Sequence, residues 1–398
     1  MEINEILKKV DTERIYQHVF KLEGIKHPID TPEELRKAAD YIYAEMESYG
    51  LSVRAQEFQL EGWDDTFRNI EGWIGDENQP AVVIVNHYDT VYSTPGANDN
   101  AISVAVTLEI ARVLAEIEDV PTIRFVSATL EEGLPPTAKL AIRQSAQRLG
   151  LTDEKHRYTS YKMAKIMKKR GDLVSSARGG GKTVIDAIAE ATEKLKEEST
   201  DAIYEHLQDL HRIYAEVLSA SKNGLIGKIG SGVWVEEAVE SGKKIQFAIC
   251  LDEIATTYKR PQSQMLPPPI SYEMMQLHKV NTEENVGDWT FVIADASAAE
   301  IAQAFCKYAE REDIDLSYAF TQLPDFAGIK AQFPQALASD HAPFWAAGIP
   351  AMFTFDTSTW RNPFYHSMAD TIDRVDFDQA TKICKATIAT VLDQSLRK

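Results

Sequence analysis

The feature that most constrains the fold of this chain is a pair of short apolar runs, each followed at once by residues able to bind a cation. The first run, at 81–86, reads AVVIVN and is followed by His87-Tyr88-Asp89. The second covers 122–129 and is followed by Glu131 and Glu132. Uninterrupted apolar runs of this length are typical of strands buried on both faces. An apolar helix predicted over 101–117 separates them, so we predict an α/β sheet with helices on both faces.

Similar patterns predict further strands and helices along the chain. A helix over 31–49 has Pro32 in its first turn and is closed by Gly50. Alternation of apolar and polar residues predicts a strand over 51–58. The remaining predicted strands are 244–251, 289–293 and 351–355, and the remaining predicted helices are 298–309 and 377–396.

The segment 135–240 has a different character, with no convincing strand over its first 87 residues, 135–221. Apolar residues recur at spacings of three and four, which predicts a pair of amphipathic helices. The residues that share these faces are Ile185, Ile188 and Leu195 on one helix, and Ile203, Leu207, Leu210, Tyr214 and Val217 on the other. We predict a catalytic α/β domain formed by 1–134 and 241–398, interrupted by a helical insertion at 135–240.

The early part of this insertion is basic. Residues 135–182 hold 12 Lys and Arg against 3 Asp and Glu, a surplus of 9 positive charges in a chain whose net charge is −19. The simpler interpretation is a solvated helix face, or a contact between copies in a homo-oligomer. The alternative is a lid whose cations contact an acidic part of the substrate.

Charge and composition exclude some partners. A net charge of −19 argues against nucleic acid, because a phosphate backbone requires a concentrated positive surface. Residues 1–20 lack the continuous apolar stretch of a signal peptide, and no segment is long enough to span a membrane. Three scattered cysteines fit no metal spacing and indicate a reducing compartment. We therefore predict a cytoplasmic protein with no membrane partner.

Candidate metal ligands lie at the ends of predicted strands. Ligands of open α/β sheets gather at the carboxyl ends of the strands, where His87, Glu131 and Glu132 are found. Adjacent carboxylates repel each other unless a cation lies beside them. One of the two can bind the metal while the other accepts a proton from water. Asp252 ends the strand over 244–251, and Asp295, after the strand over 289–293, is its rival.

Other candidates lie in predicted loops. Asp99 belongs to GANDN at 96–100 and would be a helix N-cap in the simpler interpretation, or a ligand if its loop folds back to His87. Asp89 is placed to orient the imidazole of His87 rather than to bind metal. His366 lies in NPFYHSMADTID, and His341, in SDHAPFWAAGIPA, is interpreted as lining the site without binding metal.

These motifs, taken in order, resemble those of a known family. In sequence order they are HYD, GANDN, EE, a strand-terminal LD, SDHAPFWAAGIPA and YHSMADTID. This order is similar to that of the co-catalytic zinc aminopeptidases (metallopeptidase family twenty-eight), whose fold is shared by glutaminyl cyclase and the glutamate carboxypeptidases. The resemblance covers about 30–135 and 245–395. It implies a three-layer α/β/α zinc-exopeptidase fold (phosphorylase/hydrolase-like) with a mixed, mostly parallel sheet.

The resemblance also implies a ligand set for two divalent metal ions, with Asp99 as the bridge. The remaining ligands would be His87 and Asp252 on one ion, and Glu132 and His366 on the other. It favours Asp252 over Asp295. Carboxylate and imidazole ligands suit zinc, with manganese or cobalt as substitutes.

Three further residues receive roles from the same resemblance. Glu131 matches the general base, Asp89 the partner that orients His87, and Tyr365 the tyrosine that steadies the oxyanion. The implied activity is a two-metal hydrolase that cleaves an amide or peptide bond of a small substrate. As an aminopeptidase it would release N-terminal amino acids through attack by a metal-bridging water.

Departures from the family pattern leave alternatives open. After Glu132 the chain runs through GLPPTAKLA into the insertion, and a lid there would restrict the substrates. A specialised amidohydrolase, deaminase or dipeptidase is therefore an alternative. A one-metal acyltransferase of the glutaminyl-cyclase type is another, although Asn100 after the bridging aspartate favours the hydrolase. A third alternative is a non-catalytic protein that kept the fold for binding or assembly, against which Glu131 and the five ligands argue. A count of bound ions would separate the three: two ions, one ion or none.

Two other catalytic motifs are excluded. GGGKT at 179–183 lacks the earlier glycine of a phosphate-binding loop, because position 176 is Ser176. The chain has no Gly-x-Ser-x-Gly elbow, which argues against a serine hydrolase of the α/β-hydrolase type.

Overall fold

The computed structural model describes residues 2–118, 120–267 and 269–393. Its centre is a mixed sheet of nine strands. In chain order they are β1 (Ser52–Gln59), β2 (Thr66–Ile74), β3 (Ala81–His87), β4 (Thr122–Ala128), β5 (Ile245–Leu251), β6 (Gln276–His278), β7 (Thr290–Ala294), β8 (Tyr318–Gln322) and β9 (Ala351–Phe355). Across the sheet they lie in the order β1-β2-β4-β3-β5-β9-β7-β8-β6.

The four central strands, β4, β3, β5 and β9, are mutually parallel. On one side β2 pairs with β4 antiparallel, and on the other β7 pairs with β9 antiparallel. Every residue of β3 and β4 is buried, as expected for strands covered on both faces. Because the central strands run in the same direction, their carboxyl ends meet at one edge of the sheet.

Helices cover both faces of this sheet. In chain order the helices are α1 (Ile3–Leu7), α2 (Thr12–Leu22), α3 (Pro32–Ser48), α4 (Ile102–Ala115), α5 (Pro136–Arg148), α6 (Tyr161–Gly179), α7 (Val184–Lys194), α8 (Asp201–Ala220), α9 (Ile229–Glu240), α10 (Ala299–Ala309), α11 (Phe326–Gln332), α12 (His341–Ala346) and α13 (Phe377–Leu392). Val82 and Ile84 of β3 pack into the core beneath α2, α4 and α13, whereas Val83 and Val85 pack into the core beneath α9 and α12. This alternation follows from the two-residue period of a strand.

The predicted α/β class is confirmed, and the strongly apolar elements fall where the sequence placed them. The strand predicted over 351–355 coincides with β9, and the strand over 122–129 differs from β4 by one residue. The prediction omitted β2, whose sequence contains charged residues. Glu71 of β2 is fully buried because Arg54 and Arg124 neutralise it, at 2.5 Å and 2.6 Å. Paired burial of this kind leaves no apolar signal in the sequence.

The segment 135–240 forms helices α5 to α9. Side chains of α5 to α8 and their connections form two small cores of their own, one of which contains the predicted Leu195, Ile203, Leu207 and Leu210. By contrast, α9 packs on the main sheet, where Trp234 lies against Phe344. The role of the segment as a lid or as an assembly contact stays a prediction, as does the division into 1–134 with 241–398 and 135–240.

Among the helices of the described residues, none combines the length and apolarity that crossing a bilayer requires.

Candidate active site

The carboxyl edge of the parallel strands brings together the residues that the sequence singled out. His87 is the last residue of β3, Glu131 and Glu132 follow β4, and Asp252 follows β5. Asp99 lies in the segment that joins β3 to α4, and His366 in the loop after β9. Four adjacent strands therefore direct their following residues to one place, as the topology of an open α/β sheet requires.

The first set of side chains, which we term the buried ligand group, comprises His87, Asp99 and Asp252. His87 Nε2 lies 3.3 Å from Asp252 Oδ1 and 3.5 Å from Asp99 Oδ1. All three residues are buried. Exposure of the His87 side chain is only 1%, so solvent has almost no access to this imidazole.

The second set, the loop ligand group, comprises Asp99, Glu132 and His366. His366 Nε2 lies 3.2 Å from Asp99 Oδ2 and 3.3 Å from Glu132 Oε2. The two oxygens of the Asp99 carboxylate thus face different histidines. One carboxylate shared in this way between two imidazoles is the arrangement expected of a bridging ligand.

The spacing of these atoms fits metal ligands. A tetrahedral ion with bonds of about 2.0–2.1 Å holds its ligand atoms about 3.3 Å apart. The four distances above, from 3.2 to 3.5 Å, lie around that value. A direct imidazolium–carboxylate hydrogen bond would instead be about 2.7–2.9 Å long. The residues present therefore fit two zinc-type ions, held by His87, Asp252 and Asp99 and by Glu132, His366 and Asp99.

Asp89 connects the imidazole of His87 to the turn after β4. Its carboxylate oxygens accept hydrogen bonds from the backbone N–H groups of Glu131, at 3.1 Å, and Glu132, at 3.2 Å. His87 Nδ1 lies 3.2 Å from the main-chain oxygen of Asp89 and 3.6 Å from its Oδ1. When the Nδ1–H of His87 donates to the main-chain oxygen of Asp89, Nε2 carries no proton and faces the site. Asp89 therefore occupies the supporting position predicted for it.

Two asparagines and an aspartate fix the loop that carries Asp99. Asn98 donates to Asp356 at 2.9 Å, and Asn100 donates to the main-chain oxygen of Leu251 at 3.2 Å. The Asp370 carboxylate accepts from the N–H groups of residues 98 and 99, at 2.9 Å and 3.1 Å. The simpler interpretation of Asp99 as a helix N-cap is wrong, since its carboxylate faces the two histidines and α4 begins three residues later.

Burial and charge together raise the pKa values of three groups of the site and lower that of Glu132. For Glu132, burial raises the pKa, but His366 and the other nearby cations outweigh burial and lower it to about 2. Burial lowers the pKa of His87, but the charge and hydrogen bond of Asp252, together with Asp89 and Glu131, outweigh burial and the net shift is well upward. The pKa of His366 is likewise raised by Glu132 and Asp99 against the effect of burial. Burial, then the charge of Glu132, raises the pKa of Asp99 to about 7. Buried acids and imidazoles at this density require positive charge, which divalent cations would supply.

Glu131 and Tyr365 lie beside the two ligand groups without belonging to either. Burial raises the pKa of Glu131 well above its usual range, against the opposing charge of His87. Burial also raises the pKa of the Tyr365 hydroxyl, and the charges of Glu253 and Glu132 raise it further. Tyr365 therefore keeps its proton and can donate a hydrogen bond. Its ring stacks on the His366 imidazole with centroids 3.7 Å apart.

Two rival candidates lie away from the site's centre. Asp295 follows β7, which runs antiparallel to β9, so it lies at the opposite edge of the sheet, where it accepts a hydrogen bond from Ser297. His341 is buried between Phe353 and Trp345, and its Nε2 lies 2.7 Å from the main-chain oxygen of Ala336. These contacts fix its ring, and His341 belongs to neither ligand group of the described residues, whereas its role in lining the site stays a prediction.

Sequence reasoning missed Glu253, which follows Asp252. Its carboxylate is buried, and Oε1 has no hydrogen-bond partner among the described residues. Burial raises its pKa, and the charges of Asp99 and Asp356 raise it further. Its backbone is left-handed, with φ 49°, which is uncommon for glutamate. The acidic pair at 252–253 follows a buried strand, as does the pair at 131–132. This similarity in the sequence could have identified Glu253 as a candidate site residue.

Solved structures with the same fold are aminopeptidases and glutaminyl cyclases. The LapA aminopeptidase of Legionella pneumophila has a TM-score of 0.56 and 15% identity, covering 98% of this chain and 73% of LapA. A glutaminyl cyclase of Porphyromonas gingivalis has a TM-score of 0.55 and 16% identity, covering 97% and 99%. A Zn-dependent exopeptidase of Parabacteroides distasonis has a TM-score of 0.54 and 13% identity, covering 97% and 99%. These likenesses establish the fold.

A metal-dependent hydrolase with peptidase-like chemistry is the class of protein that this fold and this site define. The model of the family described as Peptidase family M28 matches residues 69–207 and 289–391, more than half of the chain. The chain therefore belongs to peptidase family M28, and the resemblance proposed from its motifs is confirmed.

Curated relatives are consistent with this assignment. The Uncharacterized protein YfbL of Escherichia coli (strain K12) is 23% identical over 389 residues, covering 94% of this chain and 86% of the relative. Aminopeptidase YwaD of Bacillus subtilis (strain 168) is 42% identical over 72 residues, which are 17% of this chain and 16% of YwaD.

Proposed function

We propose that this enzyme is a two-metal hydrolase that cleaves an amide or peptide bond next to the N-terminal residue of a small substrate. The observation that carries the proposal is the Asp99 carboxylate. Its Oδ1 lies 3.5 Å from His87 Nε2, and its Oδ2 lies 3.2 Å from His366 Nε2. In a site for a single ion, only one oxygen of Asp99 would face a histidine. Here each of its two oxygens faces a different one, as two ions would require.

The donor set suits zinc, with manganese or cobalt as substitutes, because it combines imidazole nitrogens with carboxylate oxygens. When bound, the ions would supply Lewis acidity and would lower the pKa of a coordinated water from about 15.7 toward about 7.

Glu131 is the residue placed to move the proton. Its carboxylate adjoins His87 and Glu132 without being a member of either ligand group. As general base it takes a proton from the attacking water, and it then passes that proton to the nitrogen of the leaving amine. Its raised pKa suits both transfers. A carboxylate with a low pKa would not keep the proton after taking it from water and before passing it to the leaving amine.

Tyr365 and Asp89 support this transfer in different ways. The protonated hydroxyl of Tyr365 can donate to the substrate's carbonyl oxygen as negative charge develops there. Asp89 holds the imidazole of His87 and the backbone of residues 131–132 in one fixed arrangement. Asp89 is therefore a positioning residue, whereas Glu131 and Tyr365 are the proposed catalytic residues.

A second candidate function is a one-metal acyl transfer of the glutaminyl-cyclase type. The glutaminyl cyclase of Porphyromonas gingivalis shares the fold over 97% of this chain. The shared carboxylate of Asp99 favours the two-metal hydrolase. Metal analysis separates the two, since the hydrolase should hold two ions per chain and the acyltransferase one.

The proposal is tested with Glu131→Ala, using Glu61→Ala as a matched control because Glu61 is an exposed glutamate. We expect Glu131→Ala to keep two zinc ions per chain and to lose about 10²- to 10⁴-fold in kcat on aminoacyl amides. The control should match the unaltered enzyme in both measurements. Undiminished hydrolysis by Glu131→Ala would overturn the mechanism. Loss of an ion would identify Glu131 as a ligand instead.

A further inference from the structure

The first residues of α9 and those just before it lie directly against the turn that carries Glu131. Backbone N–H groups of Lys228, Ile229 and Gly230 donate to the carbonyl oxygens of residues 131, 130 and 129, each at 3.0 Å. The approach is so close that only glycine fits at two positions. A Cβ at Gly227 would lie 2.5 Å from the carbonyl oxygen of Glu131, and one at Gly230 would lie 2.2 Å from that of Thr129.

This contact brings the backbone of Lys228 against that of Glu131. Burial lowers the pKa of the Lys228 ammonium, and the charges of Glu131 and then Asp340 oppose that shift. Its side chain is only partly buried, and in the described part of the chain it makes no ion pair or side-chain hydrogen bond with a carboxylate. A partly buried ammonium without a direct partner is accessible to an anionic group of a substrate, and its partial loss of hydration strengthens such a contact.

Arg178 is a second cation close enough to act on Lys228. It extends from α6, and one guanidinium nitrogen donates to the main-chain oxygen of Pro334 at 3.3 Å. Its Nε is buried and has no hydrogen-bond partner among the described residues. Two neighbouring cations repel each other, just as paired carboxylates do, and an anionic group bound beside both would relieve that repulsion.

We propose that Lys228, supported by Arg178, binds the free α-carboxylate of a dipeptide substrate. The inference rests on the proposed function, because it assigns the leaving-group side of the same site. Glu131 delivers its proton to the leaving nitrogen, so the neighbouring cation lies on that side of the scissile bond. In a dipeptide the α-carboxylate carbon is two covalent bonds from that nitrogen, which matches a cation beside the base.

The reaction is then hydrolysis of a dipeptide to two amino acids. The water oxygen bonds to the carbonyl carbon, the carbon–nitrogen bond breaks, and the water proton reaches the leaving nitrogen through Glu131. Lys228 takes part in no bond change. It is a specificity-determining residue, and a charge-assisted contact of this kind is worth about tenfold to a hundredfold in affinity.

The test compares two substrates and three variants of the full-length, zinc-loaded enzyme. The substrates are leucylglycine and leucylglycinamide, which differ only in the charge of the carboxyl group. Lys228→Met removes the ammonium, and Lys228→Arg restores a cation at the same left-handed backbone position, φ 55°. Lys222→Met is the control, because Lys222 precedes the same contact but its side chain is 81% exposed.

We expect the unaltered enzyme to prefer the free acid by about tenfold or more in kcat/KM, mainly through KM. Lys228→Met should remove that preference, Lys228→Arg should restore part of it, and Lys222→Met should keep it. An equal loss on both substrates would overturn the inference, since Lys228 would then act on Glu131 alone. Equal kcat/KM values of the unaltered enzyme for leucylglycine and leucylglycinamide would also overturn the inference.

A binding measurement keeps this inference separate from the proposed function. The probe is leucylglycine with a methyleneamine in place of the scissile amide, compared by calorimetry with its C-terminal amide. We expect Lys228→Met to weaken binding of the acid by about tenfold or more and to leave that of the amide unchanged. This result together with no hydrolysis of any amide would refute the proposed function and keep the carboxylate site. Equal binding of acid and amide, with hydrolysis intact, would refute the carboxylate site alone.

Discussion

The two ligand groups share Asp99 but are supported very differently. His87, in the buried ligand group, ends a central strand of the sheet, and its side chain is 1% exposed. His366, in the loop ligand group, lies in a loop with a left-handed backbone, φ 53°, and its side chain is 33% exposed. A sheet holds its strand ends by hydrogen bonds on both sides, whereas a loop residue depends on local contacts. The difference implies that the buried group would hold an ion more tightly than the loop group.

The largest expected effect comes from His87→Ala. This change removes an imidazole from the buried group and leaves Asp99 and Asp252 with less compensation for their charges. Because Asp99 belongs to both groups, we expect metal content to fall below one ion per chain and turnover to fall by at least about 10³-fold. Metal analysis and aminoacyl-amide hydrolysis measure this.

The control for His87→Ala is Asp295→Asn, at the opposite edge of the sheet. We expect this variant to keep both ions and to alter turnover by less than about twofold. If Asp295→Asn released an ion, the assignment of Asp252 as the ligand would be wrong.

A smaller effect is expected from His366→Ala. This change removes the more exposed of the two imidazoles, whereas His87, Asp252 and Asp99 remain. We therefore expect one ion per chain and a loss of turnover of about 10²-fold. Added zinc should restore part of that turnover, because the remaining ligands Glu132 and Asp99 are still in place. Retention of two ions here, with one ion in His87→Ala, would reverse the ranking of the two groups.

The smallest expected effect concerns the stability of the metal-free enzyme. The pKa values of Asp99, His87 and His366 are all raised in the folded chain, so the folded state holds protons that the unfolded state releases. Such groups stabilise the fold at low pH and lose this contribution as pH rises through the folded pKa. Four buried histidines with lowered pKa values, His18, His27, His206 and His341, act in the opposite direction below about pH 6.5. We therefore expect the Tm of the metal-free enzyme to fall between about pH 6.5 and about pH 8.

Zinc should reverse this trend, because binding requires the deprotonated ligands and therefore strengthens as pH rises. Thermal unfolding at several pH values, with zinc and with chelator, checks both slopes. A metal-free Tm that rises with pH across this range would contradict the raised pKa values.

The sequence predicted the strand-end residues better than the loop residues. Buried parallel strands appear as continuous apolar runs, so the positions of His87, Glu131 and Glu132 at one sheet edge followed from topology, whereas the choice of Asp252 over Asp295 needed the family resemblance. Asp99 and His366 come from loops whose paths depend on distant partners such as Asp370 and Asp356. Those two residues could be assigned only through the order of the family's motifs.

Lys228 shows why the remainder was not predictable. It is separated from Glu131 by 97 positions and reaches it through backbone hydrogen bonds, which carry no signature of residue type. The two glycines beside it, Gly227 and Gly230, were visible in the sequence but had no evident partner. The basic surplus of 135–182 did raise the idea of contact with an acidic part of the substrate, and Arg178 belongs to that stretch.

The close contact of Gly227 and Gly230 with the 129–133 turn also sets a limit for protein engineering. Asn69 strengthens the same junction, because its amide donates to the main-chain oxygen of Gly230 at 2.8 Å and accepts from the N–H of Thr129 at 3.1 Å. A deletion of 140–240 would remove Gly227 and Gly230 from their contacts with the 129–133 turn. It would also remove α9 from the face of the sheet. A smaller enzyme should therefore be sought by joining the chain ahead of Gly227, where the helices can be exchanged and the junction kept.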